Sequence, residues 1–245
     1  MNRVKTGVKG LDEIIEGGIP EGRTVLLTGG CGTGKTIMAM QFVYSGAKEF
    51  GENGVYVTLD ERPDLVREDM IKFGMDIKAL EKQEKIHLID GSIAKIGLPS
   101  EEEYSLPVTG FDLDKLLLEI MRSIKKNNAK RVVIDSIPAL GLNFENEQEV
   151  RKAIIKMGYI LQRAGSTVII ISEIEDEQKL SKYGVEEFVA DGVIVLHYLG
   201  VGSHSNRTLH IRKMRSTKHS EEVHPLKITD SGIKIGKIGA DYSKV

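Results

Sequence analysis

The 245-residue chain has one cysteine, no tryptophan, and only seven tyrosines and six phenylalanines. With Cys31 alone no intrachain disulfide can form, and a reducing, cytoplasmic setting is the expectation. So few aromatics leave few platforms on which bases could stack. Apolar runs such as residues 168–171 fall far short of the ~20 residues that a membrane span requires. The opening MNRVKTGVKG has no apolar core of the secretory kind, so no signal peptide is expected. Neither sign of charge dominates: 34 Lys and Arg stand against 36 Asp and Glu, for a net charge of −2. That balance argues against a surface built as a whole for nucleic acid. Linkers rich in proline, serine or glycine are missing too, and one α/β domain over residues 1–245 is expected.

What is present is an alternation of short β-branched runs with amphipathic helices. Residues 24–28, 55–59, 86–89, 131–134, 167–172 and 193–196 read as strands, apolar enough to be buried on both sides. Residues 112–128 and 147–164 carry the 3.6-residue period, with Asp112 as N-cap and Gly165 as a stop. Pro63 opens a further helix that Gly74 closes. Towards the C-terminus the period becomes two, and Asp230-Ser231-Gly232 joins residues 226–229 and 233–235 as a hairpin. The expected fold is therefore α/β: a mainly parallel sheet with helices on both faces and an antiparallel C-terminal extension. Residues 92–110, 137–148 and 174–187 read as loops.

The strongest signal is Gly29-Gly30-Cys31-Gly32-Thr33-Gly34-Lys35-Thr36, a complete GxxxxGK[ST] between a strand and a helix. Glycines let successive backbone N–H groups converge on one anion at the helix N-terminus. Lys35 supplies a compact cation for β- and γ-phosphates, and Thr36 a hydroxyl ligand for Mg2+. Cys31 reads first as a small tolerated residue, with an oxidation-sensitive thiol as the alternative.

Carboxylates follow at strand ends. Arg131-Val132-Val133-Ile134-Asp135 is an apolar strand closing on an acid, which suits a second Mg2+ ligand at the carboxyl end of a parallel sheet. Asp60 and Glu61 end an earlier strand, and hydrolysis needs a carboxylate there to deprotonate water. Helix capping ahead of Pro63 is the competing reading. Ser172-Glu173 ends a third strand and is a candidate γ-phosphate sensor.

Residues 6–12 (TGVKGLD), 17–22 (GGIPEG), 188–193 (FVADGV) and 213–219 (KMRSTKH) around these motifs resemble the KaiC-like branch of the RecA superfamily. The resemblance spans nearly the whole chain and amounts to one such ATPase domain, where two-domain members carry a tandem pair. It implies a RecA-type fold, ATP with Mg2+, and a ring, hexameric by preference, with nucleotide held between subunits. It also implies that Lys213, Arg215, Thr217, His219 and Asp230 contact ATP bound to the neighbouring subunit, Arg215 as an arginine finger. The family places paired acids at Asp60 and Glu61; the first is shortened to Asp here, so slow turnover is expected. Where the kinase domain of two-domain members has a Ser-Thr phosphoacceptor pair, this chain has Glu187-Phe188, so autokinase activity is not expected.

Residues 203–219 hold five Lys and Arg and no acid, which wants an anionic partner. Three functions compete: an ATPase ring acting on a regulatory protein partner, a recombinase-like DNA-binding ATPase, and a nucleotide-sensing module with negligible turnover. In recombinases the segments after the second and third motif strands face DNA. Here residues 137–150 and 174–187 each carry a net charge of −3. Like charge opposes phosphates, so nucleic acid drops to a minority reading.

Overall fold

The computed structural model describes residues 1–92, 100, 102–105, 111–174, 179–201 and 204–237. In chain order the elements are β1 Arg3–Val4, α1 Leu11–Ile14, β2 Ile19–Pro20, β3 Thr24–Gly29, α2 Lys35–Ser45, β4 Gly54–Thr58, α3 Pro63–Ile71, α4 Ile77–Glu81 and β5 Ile86–Asp90. They continue with α5 Leu113–Asn127, β6 Arg131–Asp135, α6 Glu147–Arg163, β7 Thr167–Ile171, α7 Glu186–Val189, β8 Gly192–Val201, β9 His204–Met214, β10 His224–Thr229 and β11 Gly232–Ile235. A π-helical turn, Gly46–Phe50, extends α2, and a 3-10 helix, Ile137–Asn143, follows β6. The latter stands where the sequence suggested only a loop. Pro138 fixes its first turn, and burial of Ile137, Ala139 and Leu140 draws the segment onto the core.

Nine strands form one sheet in the order β11-β10-β9-β8-β3-β7-β6-β4-β5, and β1 pairs with β2 in a small ribbon. From β8 to β5 the neighbours are parallel, whereas β8 to β11 are joined antiparallel. This is the expected α/β architecture. Helices cover both faces: α2 packs over one core layer with Val25, Leu27, Tyr56 and Val133, and α5 and α6 over the other with Val55, Val57, Val132 and Ile134. Alternate residues of each parallel strand feed opposite layers, the period-two consequence of the pleat.

Helix boundaries follow their caps. Asp112 accepts from the N–H groups of Asp114 and Lys115, and Asn146 from that of Glu149. Gly165 at φ +75° ends α6, as expected. The β8–β9 ladder is longer than the sequence suggested, reaching Val201 and His204. Glu175, Asp176 and Glu177, counted in the acidic segment 174–187, lie outside the described residues.

One buried ion fixes how α2 sits on β6. Arg131 is fully buried; its Nε and Nη2 donate to Glu52 at 2.8 and 2.6 Å, and Nη1 donates to the Phe42 carbonyl at 2.8 Å. The guanidinium lies between the Phe42 and Phe50 rings, 4.6 and 5.2 Å from their centroids. Only glycine fits at position 46, since a Cβ there would come within 2.3 Å of the Arg131 side chain. Breaking a buried pair on one side leaves an uncompensated charge. Arg131→Ala should therefore lower the unfolding free energy by about 3–5 kcal/mol in urea titrations; a loss no larger than that of a surface substitution would contradict this.

Candidate nucleotide site

β3, β4 and β6 end at one edge of the sheet, because they run parallel and in close register. Thr58 pairs with Asp135, Ile134 with Ile170, and Ile171 with Leu27. That edge frames a cleft of about 500 Å³ lined by the phosphate-loop residues 31–36 together with Asp60, Glu61, Asp135, Ser136 and Glu173.

Two glycines shape the loop. A Cβ on Gly29 would fall 2.3 Å from the Leu196 carbonyl oxygen, so β3 can pass β8 this closely only without one. Gly34, at φ +100°, is the N-cap of α2 and contributes no side-chain cap, and the first turn holds no acid. The first-turn N–H groups therefore lack intrahelical acceptors and suit an external anion. Lys35 donates from Nζ to the carbonyls of Gly29 and Gly30 at 2.8 and 2.9 Å, and Glu173 lies 4.0 Å away. Burial lowers the Lys35 pKa, while Glu173 and Asp135 oppose the shift.

Asp135 is the most deeply held acid. Tyr56 donates to its Oδ2 at 2.5 Å. Burial pushes its carboxyl above the usual range, against the hydrogen bonds from Tyr56 and Thr36. Thr36 and Asp135 thus meet at one point, as a hard divalent cation with its own waters and phosphate oxygens would need. Among the described residues no three His, Cys, Asp or Glu gather into a group that could hold a metal by themselves.

At the rim, Ser136 donates to Asp60 Oδ2 at 2.5 Å, while Thr58 Oγ1 donates to the Glu61 carbonyl at 2.6 Å and accepts from its N–H at 3.2 Å. Burial raises the Glu61 pKa, with Asp69, Asp135 and Asp60 adding to it. A carboxylate of raised pKa is the better proton acceptor.

The residues expected to reach a neighbour do not line this cleft. Met214 pairs with Gly192, and Gly192 with Val25. Arg215 therefore stands near the start of β3, five strand residues or roughly 16 Å from Gly29. Its guanidinium is 59% exposed and lies 3.5 Å from Asp191 Oδ1. Asp191, buried, also holds Arg23 at 3.1 Å. Lys213 donates to the carbonyls of Glu187 and Ala190, Thr217 accepts from Arg3, and His219 donates to the Ser220 carbonyl. Asp230 is apart from these four, exposed in the β10–β11 turn on the phosphate-loop side, where Ile228 and Ile233 approach Gly34.

Several contributors escaped the sequence reading. Arg207 was counted only in the basic run, yet its Nε donates to the Gly32 carbonyl at 2.9 Å while its guanidinium lies 4.4 Å from the Tyr198 ring centroid. Tyr56 and Asp191 were read as a core residue and a motif letter. Register across non-adjacent strands assigns all three, and no local pattern carries that.

A phosphate loop at the carboxyl edge of a mostly parallel sheet, facing a strand-terminal acid, defines a P-loop nucleotide-binding protein of RecA type. The chain matches the family described as ATPase: KaiC over residues 4–240, and it belongs to that family of ATP-binding ATPases. It is 37% identical over 239 residues to the circadian clock oscillator protein KaiC of Synechococcus elongatus, covering 97% of this chain and 45% of the relative. The chain thus spans about half the length of that relative. The UPF0273 protein PH0284 of Pyrococcus horikoshii is 40% identical, over 94% of this chain and 92% of its own length. The crystal structure of the KaiC-like protein PH0186 from the same organism superposes with a TM-score of 0.85 at 45% identity, covering 96% of this chain and 99% of that one.

Ligand linkage gives a direct check. At about 100 times its Kd, Mg-ATP should stabilise the protein by about 2.7 kcal/mol. Lys35→Ala should lose most of that gain. Asp135→Asn should lose the Mg2+-dependent part while leaving the nucleotide-free protein no less stable, because a buried charge is removed. Thermal unfolding with and without Mg-ATP measures both, and an unchanged Mg2+ response in Asp135→Asn would contradict the assignment.

Proposed function

We propose that residues 1–245 act as one ATPase unit that hydrolyses ATP slowly with Mg2+ and works as a closed ring, a hexamer by preference, with each nucleotide held between two protomers. The observation that carries this reading is the separation of Arg215 from its own phosphate loop. An exposed guanidinium near the far end of β3 can reach a triphosphate only on another chain. Arg215 is pre-aimed by Asp191, and its fork of fixed donors suits charge spread over equatorial phosphate oxygens.

The roles then follow from position. The loop N–H groups and Lys35 would hold the phosphates, and Thr36 and Asp135 would hold Mg2+, which would supply neutralisation of the phosphate charge. Glu61 accepts the proton of the attacking water, and the Ser136 hydroxyl pins Asp60 beside it. Lys213, Thr217 and His219 flank Arg215 at the junction. Turnover is slow because Asp60, one methylene short of Glu, is drawn back onto Ser136. The output is a nucleotide-dependent change read by a regulatory protein partner. Nucleic acid has no part in this reading, because Glu145, Glu147 and Glu149 crowd the segment after β6; Glu186, counted with the acids after β7, is instead turned inward onto Ser172 and Ser181 and takes no part in that repulsion.

Phosphate-release assays test the roles. Arg215→Ala should bind ATP as the parent does and hydrolyse none. Glu61→Gln should lower kcat by about 10²-fold or more. Because the Glu61 pKa is raised and the base must be ionised, the parent's rate should rise with pH through an inflection above that of an ordinary glutamate. That limb should vanish in Glu61→Gln. Full hydrolysis by an isolated Arg215→Ala monomer would refute the interfacial site.

A further inference from the structure

The segment after β9, residues 215–220, carries Arg215, Thr217 and His219 without forming a helix or strand. Ser216 takes the left-handed conformation there, at φ +57°. Much of what holds this segment comes from the N-terminal ribbon and α1. Arg3, on β1, donates from Nη1 to Thr217 Oγ1 at 2.7 Å and from Nη2 to the Ser216 carbonyl at 3.1 Å. The Ser220 N–H donates to the Ile14 carbonyl at 2.9 Å. The same guanidinium is anchored behind. Nη1 reaches the carbonyls of Ile15 and Gly18 at 3.4 and 3.2 Å, and Nη2 lies 2.7 Å from Glu16 Oε2. Gly18, at φ +138°, allows β1 this close, since a Cβ there would fall 2.4 Å from the Val4 carbonyl oxygen.

Arg3 does not line the nucleotide cleft, and among the described residues its ribbon pairs with no strand of the nine-stranded sheet. Its partly exposed pair with Glu16 contributes little stability by itself. What the planar fork of donors does is span two segments at once, residues 15–18 and residues 216–217. Thr217 carries the contact one step further, because its hydroxyl accepts from Arg3 and donates to the Arg215 carbonyl at 3.3 Å. Arg215 is thus held at both ends, its guanidinium by Asp191 and its backbone through Arg3. We infer that Arg3 is a positioning residue for catalysis on the neighbouring protomer, fixing the 215–217 backbone so that Arg215 meets the neighbour's phosphates. This rests on the interfacial site proposed for Arg215. A finger misplaced by about 1 Å forfeits much of its effect on rate. Arg3 therefore matters in the chain that lends Arg215 and not in the chain that holds the nucleotide.

Mixed assemblies separate those two chains. Lys35→Ala chains keep Arg215, and Arg215→Ala chains keep the phosphate loop. Adding Arg3→Ala to the Lys35→Ala chain should cut the restored phosphate-release rate, per assembled complex, about tenfold or more with the KM for ATP unchanged. The same substitution on the Arg215→Ala chain should leave the restored rate as it was. A general weakening of the fold would lower both mixtures alike. Circular dichroism checks folding. If Arg3→Ala does not fold, Arg3→Lys decides: an ammonium keeps the charge but cannot span both segments, so the same one-sided loss is expected. No loss, equal loss in both mixtures, or loss only from the loop-lending chain would overturn the inference. A mixture that recovers no activity even with Arg3 intact would instead refute the interfacial site, and the inference with it.

Discussion

The register of β8 against β3 and β9 governs how this protein is put together. Gly29 lies beside Leu196 at one end of that three-strand unit, and Met214 beside Gly192 at the other. Because β9 runs back along β8, a single basic strand places Arg207 on the protomer's own phosphate loop and Arg215 a strand's length away. Sliding β9 by one residue would turn each of these side chains to the opposite face. Packing on the apolar side resists that slip, since Leu209, Ile211 and Met214 are buried with Ile194 and Leu196. Stability of the ladder and aim of the cations are therefore one constraint.

Away from the nucleotide cleft, two deeply buried charged side chains, Arg131 and Asp191, are firmly tied down. Arg131 is enclosed by Glu52, a carbonyl and two rings; Asp191 is enclosed by Arg23, Arg215 and the Thr24 N–H. The nucleotide cleft differs. Lys35 and Asp135 sit close together with pKa values pushed towards neutrality by burial, partly compensated by loop carbonyls and by the Tyr56 and Thr36 hydroxyls. Groups left in that condition gain most when a polyanion and a cation arrive together, since each supplies the charge the other lacks. That condition suits the proposed metal-bound phosphate chain better than either component alone.

Much of this was legible in the sequence, for local reasons. The phosphate loop declares itself because its function needs glycine at fixed positions, and a strand closing on Asp135 needs only five letters. Helix ends at Asp112 and Gly165 follow from capping chemistry within a single turn. What stayed hidden depends on pairing between segments far apart in the chain. Tyr56 reads as one more apolar strand residue until β4 is laid beside β6. The basic run reads as one patch until the ladder sends Arg207 and Arg215 to opposite ends. Residues 137–143 read as a loop because a 3-10 turn has no period long enough to recognise. Family resemblance supplied the interfacial role proposed for Arg215, which no spacing within one chain could have given.

The proposed chemistry is completed between protomers, and mixing two inactive variants tests that most directly. Lys35→Ala removes the phosphate site but keeps Arg215; Arg215→Ala does the reverse. Each alone should be inactive. When equal amounts are co-assembled, a junction pairing an intact loop with an intact arginine forms by chance at about one interface in four, and about a quarter of the parental rate should return. A mixture as inactive as its components, despite demonstrated exchange of subunits, would contradict the claim.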